Sequence, residues 1–388
     1  YRQPARARLS RIRIPNLNGL NMRLMRSPSA VEVAITGKCN LRCLYCSHFN
    51  SAADVPEDLP TSEWLTFFEE LGRLAVLRIT LEGGEPFIRP DLPELLKGIV
   101  KNRLRFTILS NGTLITDELA AFMASTRRCD SVQISIDGSK AATHDACRGQ
   151  GNFYKAVQGL EKLKRHGVPV TVRVTINRTN LEDLPEVSRF LLEELQLPRF
   201  STNSADFMGV CRSQADKIQL SVAERSRAMT LRWELEQKYP GRITALAGPL
   251  FEAHDWLDIT QAQRENREPK NGRGHLTGCG GVFNKLAVRS DGVMVPCVHL
   301  CHMELGRINR DDLGEVWRNH PELTRLRERR EISLSDFAFC AGCQYLPFCT
   351  GGCPAVAYTR TGQENHPNPD YCLKLFLDKG GRLPDVHS

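Results

Sequence analysis

The chain has 388 residues and a mass of 43.6 kDa, with 41% apolar and 25% charged residues. That balance supports a large folded core and excludes the disordered and fibrous classes. The net charge of +7 is modest, no apolar run approaches the roughly 18 residues of a membrane span, and no charged-then-apolar leader is visible, so the reading is a cytoplasmic chain without membrane contact. Fourteen cysteines without a secretory signal argue for metal binding in a reducing compartment rather than a disulfide framework.

Residues 1–28 read as a basic extension. It could meet an acidic peptide, but it lacks the interleaved aromatics that base stacking needs, so no nucleic-acid partner is expected and a solvated tail is the simpler reading. Val31, Val33 and Ile35 then alternate as in a first strand, followed by the loop TGKCNLRCLYCSHF. Thr61 or Ser62 is placed to cap a helix carrying Trp64, Phe68 and Leu71 on one face, with Glu63 in its first turn. Strands are expected at 76–81, 106–109, 131–136 and 170–176, with a sixth near Arg199–Thr202. Helices are expected at 92–100, 117–124, 153–166 and 184–195. The alternation, spanning 29–245, is that of a parallel α/β domain. A connecting segment, 246–275, ends in an exposed linker over 261–275. Residues 276–388 are cysteine-dense, with short strand-like pieces in KLAVRS and VMVPC.

The chemistry is carried by cysteine spacing. Cys39, Cys43 and Cys46 form CxxxCxxC, three thiolates in one short loop with no fourth before Cys129. A cubane iron–sulfur cluster takes four thiolates, so three leave one iron open to a small molecule. Zinc, which favours four ligands and CxxC knuckles, is the alternative, as are buried thiols. Gly83-Gly84-Glu85-Pro86 follows the second strand, where paired glycines let backbone approach a ligand. SNGT (110–113) and SIDG (135–138) end the third and fourth strands; both are also common turn sequences. Farther on come Cys279 and Cys297, then CAGCQYLPFCTGGC with Cys340, Cys343, Cys349 and Cys353, and finally Cys372.

Together these motifs resemble the radical S-adenosylmethionine (SAM) enzymes that carry a C-terminal SPASM extension, over roughly residues 29–375. The resemblance implies a partial (β/α)6 barrel with a small cysteine-rich α+β SPASM domain. It also implies a cluster on Cys39, Cys43 and Cys46 whose open iron is chelated by SAM, which is cleaved to a 5′-deoxyadenosyl radical. By the same resemblance, Gly83, Gly84, Glu85 and Pro86 receive the methionyl amino group, while Ser110, Asn111, Ser135 and Asp137 contact the ribose or line the pocket. Arg148 pairs with the methionyl carboxylate, a role that suits a guanidinium fork.

Two auxiliary clusters are implied, three in all. One sits on Cys340, Cys343, Cys349 and Cys372. The other sits on Cys279, Cys297 and Cys353, with Cys301, or more distantly Cys211, as candidate fourth ligand and a buried thiol as the alternative fate of Cys301. Cys129 and Cys147 receive no function. Asp206, Asp291, His299 and His302 are polar residues for which hydrogen-bonded surface positions are expected.

Relatives of this kind oxidise or crosslink ribosomal peptides, and the narrower resemblance is to maturases of small peptide-modifying cassettes of the SynChlorMet type. The implied partners are a peptide substrate and an external electron donor such as flavodoxin or ferredoxin. The 28 residues before the first strand are too few for a leader-binding module, so a separate leader-peptide-binding protein, or direct capture by barrel and SPASM surfaces, is expected. A radical SAM enzyme acting on a small molecule such as a tetrapyrrole, and a non-catalytic iron–sulfur electron-transfer protein, are the alternatives.

Overall fold

The computed structural model describes residues 24–48, 57–277 and 279–385; the basic segment up to residue 23 lies outside the described residues. The strands are β1 (Ala30–Thr36), β2 (Arg78–Gly83), β3 (Arg105–Ser110), β4 (Cys129–Ser135), β5 (Val170–Ile176), β6 (Phe200–Ser204), β7 (Ile243–Ala245), β8 (Lys285–Val288), β9 (Val293–Val295) and β10 (Gly306–Arg307). They form one sheet in the order β10-β9-β8-β1-β2-β3-β4-β5-β6-β7. From β1 to β7 every neighbour is parallel and consecutive in sequence. This is the expected α/β partial barrel, lengthened by a seventh strand of three residues.

Alternation within each strand divides the barrel into two faces. Val31, Val33, Ile35, Ile79, Leu81, Phe106, Ile108, Val132, Ile134, Val172 and Val174 are buried in the main core, with Trp64, Phe67, Phe68 and Leu71 of the helix Thr61–Arg73. Intervening residues such as Glu82, Gln133, Ser135, Arg173, Thr175 and Asn203 instead line an interior cavity. Parallel strands are usually apolar on both faces. A polar inner face marks a barrel built to hold something other than side chains.

Three local expectations change. Pro60, not Thr61 or Ser62, occupies the cap position of the first helix, without a side-chain cap bond; the Thr61 hydroxyl instead donates to Asp91. The expected helix 184–195 is helical only over Leu184–Arg189 and continues as a π-helical turn, Phe190–Glu194. The helix Pro249–Arg264 occupies most of the connecting segment, so the exposed stretch begins only after it. Arg273 within that stretch is fixed by Asp255, with Arg273 Nη2 to Asp255 Oδ1 at 2.7 Å.

The cysteine-rich portion joins the sheet directly. β8 pairs in parallel with β1 over four residue pairs, Ala30↔Lys285 to Val33↔Val288, and Lys285 Nζ reaches Glu32 Oε1 at 2.5 Å. β9 and β10 continue it as antiparallel strands. A second core of Met229, Trp256, Ile259, Leu373 and Phe376 packs the C-terminal helix Leu373–Asp378 onto the helices Val222–Lys238 and Pro249–Arg264.

Candidate active site and cluster-binding cysteines

The cysteine loop leaves the C-terminal end of β1 and is braced at once. Asp58 accepts from Thr36 Oγ1 (2.6 Å) and from the Gly37 amide (2.7 Å). From β2, the Gly84 amide donates to Thr36 O (2.8 Å) and the Glu85 amide to Lys38 O (2.9 Å). The glycines permit this contact. A Cβ on Gly83, whose φ is +120°, would lie 2.2 Å from Thr36 O, and one on Gly84 would lie 2.0 Å from Lys38 O. The close approach anticipated for a ligand is therefore made, at these two positions, by the backbone of the cysteine loop itself.

Glu85 is fully buried and its carboxylate is engaged inside the protein. Oε1 accepts from Ser110 Oγ (2.9 Å) and the Phe87 amide (3.1 Å), and Oε2 accepts from the Asn111 amide (2.7 Å). Burial pushes its pKa up to about 7, against the pull of those donors. The residue thereby ties the end of β2 to the end of β3. Asn111 then carries the brace to the cluster loop: its Nδ2 donates to Asn40 Oδ1 (2.9 Å) and lies 3.9 Å from Cys39 Sγ.

On the opposite wall, Arg148 Nε donates to Asp137 Oδ2 at 2.5 Å, with both side chains buried. Asp137 also accepts from the Tyr45 hydroxyl and from the Thr175 amide (2.7 Å). Arg148 packs its guanidinium 5.3 Å from the Tyr45 ring centre and lies 4.0 Å from Cys43 Sγ. Burial pushes the Cys43 thiol up to about 11, and Arg148 pulls it the other way. Tyr45, between two of the cysteines, was not singled out from sequence; its aromatic body and buried hydroxyl anchor the loop to β4.

Gly83, Gly84, Ser110, Asn111, Ser135 and Arg148 line a cavity of about 950 Å³ together with Cys39, Cys43 and Cys46. Glu85, Pro86 and Asp137 are buried behind its wall and hold the lining residues. Asp206, just past the end of β6, and His299, in the loop after β9, were expected at the surface and both line the cavity. Burial pushes Asp206 up to about 6 and lowers His299. His302 and Asp291 lie outside this cavity, held by Glu364 (2.8 Å) and Arg289 (2.6 Å). Sequence reading also missed Glu82, Arg173 and Asn203, whose signal was their polarity at inward positions of otherwise apolar strands.

The remaining cysteines fall into two groups. Cys340, Cys343, Cys349 and Cys372 line one small cavity, and each of Cys340, Cys349 and Cys372 feels the charge of others in the set. Cys279, Cys297 and Cys353 share a second electrostatic environment. Cys301 is exposed and its carbonyl accepts from Arg289 at 3.1 Å. Cys211 is buried beside Tyr45 and Cys147. Among the described residues no three His, Cys, Asp or Glu side chains converge closely enough to hold a single metal ion. A cubane places its ligands at the corners of a larger body, and four thiols around one cavity suit that demand.

A parallel barrel with three loop thiols at its mouth, followed by a second, cysteine-lined site, is the architecture of an iron–sulfur enzyme with an open cofactor site. Residues 33–191 match the Radical SAM superfamily and residues 279–344 the SPASM iron–sulfur cluster-binding domain. The chain carries a radical SAM domain followed by a SPASM domain; the first binds SAM and a 4Fe–4S cluster, the second auxiliary iron–sulfur clusters. It is 28% identical over 356 residues to the AdoMet-dependent heme synthase of Methanosarcina barkeri, covering 90% of this chain and 97% of that protein. It is 26% identical over 364 residues to the mycofactocin maturase MftC of Mycobacterium ulcerans, covering 90% and 89%. The fold matches that of Streptococcus suis SuiB bound to its precursor peptide SuiA, with a TM-score of 0.67 at 17% identity, over 90% of this chain and 77% of that one. Among the described residues no helix is long and apolar enough to cross a membrane.

Proposed function

We propose that this enzyme oxidatively modifies a peptide, such as a ribosomally made precursor, in the reducing cytoplasm. The observation that carries the reading is the cavity. At about 950 Å³ it stands at the upper end of ligand sites, and one wall belongs to the Val298–His299 loop beyond β9. That cavity would take SAM against the Cys39 loop and a segment of substrate chain beside it. The likeness in fold to SuiB, and in sequence to MftC, supports the same reading.

When bound, the cluster and SAM supply a 5′-deoxyadenosyl radical that takes a hydrogen atom from substrate. Cys39, Cys43 and Cys46 hold the SAM-binding cluster. Arg148, oriented by Asp137 and Tyr45, would pair with the methionyl carboxylate. Gly83 and Gly84 give the methionyl group a wall without side chains, and Glu85 acts by positioning Ser110 and Asn111 rather than by touching SAM. Ser135, at the end of β4 and on the cavity lining, would contact the ribose. Asp206 lines the same cavity, and burial pushes its pKa up to about 6, which would suit it to take up a proton released on oxidation. Cys340, Cys343, Cys349 and Cys372 hold one auxiliary cluster, and Cys279, Cys297 and Cys353 the other. The electron would enter from an external donor such as flavodoxin or ferredoxin.

A second reading, modification of a tetrapyrrole, is favoured by the match to heme synthase across 97% of that protein. One experiment separates the two. Anaerobically reconstituted enzyme is incubated with SAM and dithionite, with either short peptides encoded beside its gene or an iron tetrapyrrole bearing propionates. Substrate-dependent 5′-deoxyadenosine with loss of two hydrogens from a peptide is expected; deoxyadenosine and mass loss with the tetrapyrrole alone would overturn the peptide reading.

A further inference from the structure

Trp256 lies on the helix Pro249–Arg264, outside the cysteine-rich segment, yet its side chain forms part of the wall of the cavity lined by Cys340, Cys343, Cys349 and Cys372. It is 0% exposed. Its indole Nε1 is buried with no hydrogen-bond partner. An indole nitrogen is a donor only, and leaving such a donor buried without an acceptor costs about 1–3 kcal/mol.

The surroundings offer Trp256 no protein acceptor. The neighbouring carboxylate of Asp255 is taken by Arg273 Nη2 (2.7 Å) and by the Tyr371 hydroxyl. The ring itself is fixed: the Arg225 guanidinium lies 4.7 Å from its centre, and the Phe376 and Tyr371 rings lie 4.9 and 5.8 Å away. A rigid donor without a partner, at the edge of a cavity ringed by four thiols, is matched to an acceptor that arrives with the cavity's occupant.

We propose that the Trp256 indole N–H donates a hydrogen bond to a sulfur of the iron–sulfur cluster held by Cys340, Cys343, Cys349 and Cys372, and so raises the reduction potential of that cluster. Hydrogen bonds to cluster and ligand sulfurs are among the factors that set such potentials, because they stabilise the reduced, more negative state more than the oxidised one. Trp256 is a positioning residue in this role. The inference rests on the proposed assignment of those four cysteines as cluster ligands.

The test uses the full chain carrying Cys39→Ala, Cys43→Ala and Cys46→Ala, so that only auxiliary clusters remain after reconstitution. Redox titration followed by electron paramagnetic resonance gives their couples, and adding Cys340→Ala identifies the one that depends on this cysteine set. Trp256→Phe keeps the ring and removes the donor. The expected result is full iron content and a more negative midpoint for that couple alone, corresponding to about a tenfold change in its reduced-to-oxidised ratio, about 59 mV for a one-electron couple. An unchanged midpoint with the cluster intact overturns the hydrogen bond. A couple indifferent to Cys340→Ala overturns the ligand assignment instead, and the proposal with it. Should Trp256→Phe fail to fold, pulsed resonance on the parent grown with indole-¹⁵N tryptophan decides: a ¹⁵N coupling on that cluster supports the bond, and its absence overturns it.

Discussion

Replacing Gly84 with Ala tests the reading of the GGEP segment as a brace for the cysteine loop. The added Cβ would stand 2.0 Å from Lys38 O and 2.4 Å from Lys38 C. Both are backbone atoms, so no side-chain rotation relieves the overlap. Restoring ordinary contact moves the two segments apart by about 1 Å or more. That breaks the hydrogen bonds from the Gly84 amide to Thr36 O and from the Glu85 amide to Lys38 O, 2.8 and 2.9 Å long, each worth about 1 kcal/mol, with a further ~1–3 kcal/mol where a carbonyl stays buried and unpaired. The cost is on the order of 2–5 kcal/mol. It falls on the residue next to Cys39, whereas the strand cores and the SPASM cysteines lie elsewhere. Gly84→Ala should therefore keep its secondary structure and auxiliary clusters, lose the SAM-binding cluster from its iron count, and form almost no 5′-deoxyadenosine. Gly98→Ala is the control, because its Cβ meets side chains rather than backbone, the flexible end of Leu65 at 2.3 Å and the Phe68 ring at 3.4 Å, and alanine favours the helix by about 1 kcal/mol. Parental iron content and deoxyadenosine yield from Gly84→Ala would refute the brace.

Three other outcomes are expected. Burial pushes Glu82 from 4.5 up to about 8, so the folded chain keeps a proton that the unfolded chain releases above about pH 4.5. Glu82 therefore costs stability increasingly as pH rises toward 8, and Glu82→Gln should be the more stable chain at pH 8 by a few kcal/mol, with the gap closing toward pH 5; a pH-independent gap in anaerobic urea unfolding would contradict this. Asp137→Asn removes the partner of buried Arg148 and should weaken SAM binding about 10- to 100-fold, as expected for about 1.5–3 kcal/mol in a charged hydrogen bond, so an unchanged Kd in calorimetry would take Arg148 out of the carboxylate site. Cys301→Ser should retain the full iron content, whereas Cys340→Ala should lose one cluster and still bind SAM; a loss of iron in the first would return Cys301 to the ligand set.

The barrel strands were legible because each carries a short apolar alternation bounded by turn residues, and β5 lies where the pattern puts it, at 170–176. The cluster loop and the later cysteines were legible because thiols at short spacings have few other uses. What lay hidden depended on partners distant in sequence. Glu85 looked like a ligand contact, and only the meeting of β2 with β3 shows its carboxylate already engaged by Ser110 and Asn111. Asp206 and His299 looked like surface residues, since nothing local tells that the segments after β6 and β9 both border the cavity. Thr61 had the chemistry of a cap, and the nearby Asp91 took its hydroxyl instead.

The junction between the two cluster-bearing regions was the least legible feature and bears most on mechanism. The polar, breaker-rich stretch 261–275 reads as an exposed linker, and a linker alone would leave the auxiliary sites free to vary in distance from the barrel. Yet β8 hydrogen-bonds to β1, the strand that delivers the Cys39 loop, and Lys285 pairs with Glu32 on the same strand. Cys279 leads through a short turn into β8, and Cys297 follows β9, so two of the three-cysteine group are held by the same ladder that holds the SAM-binding loop. The C-terminal helix, packed through Phe376 onto Trp256, fixes the four-cysteine group to the far end of the barrel. Electron transfer depends steeply on separation, so clusters that exchange electrons with a substrate in the barrel need fixed distances. Here the fixing is done by sheet pairing and core packing, and the exposed stretch need only close the chain.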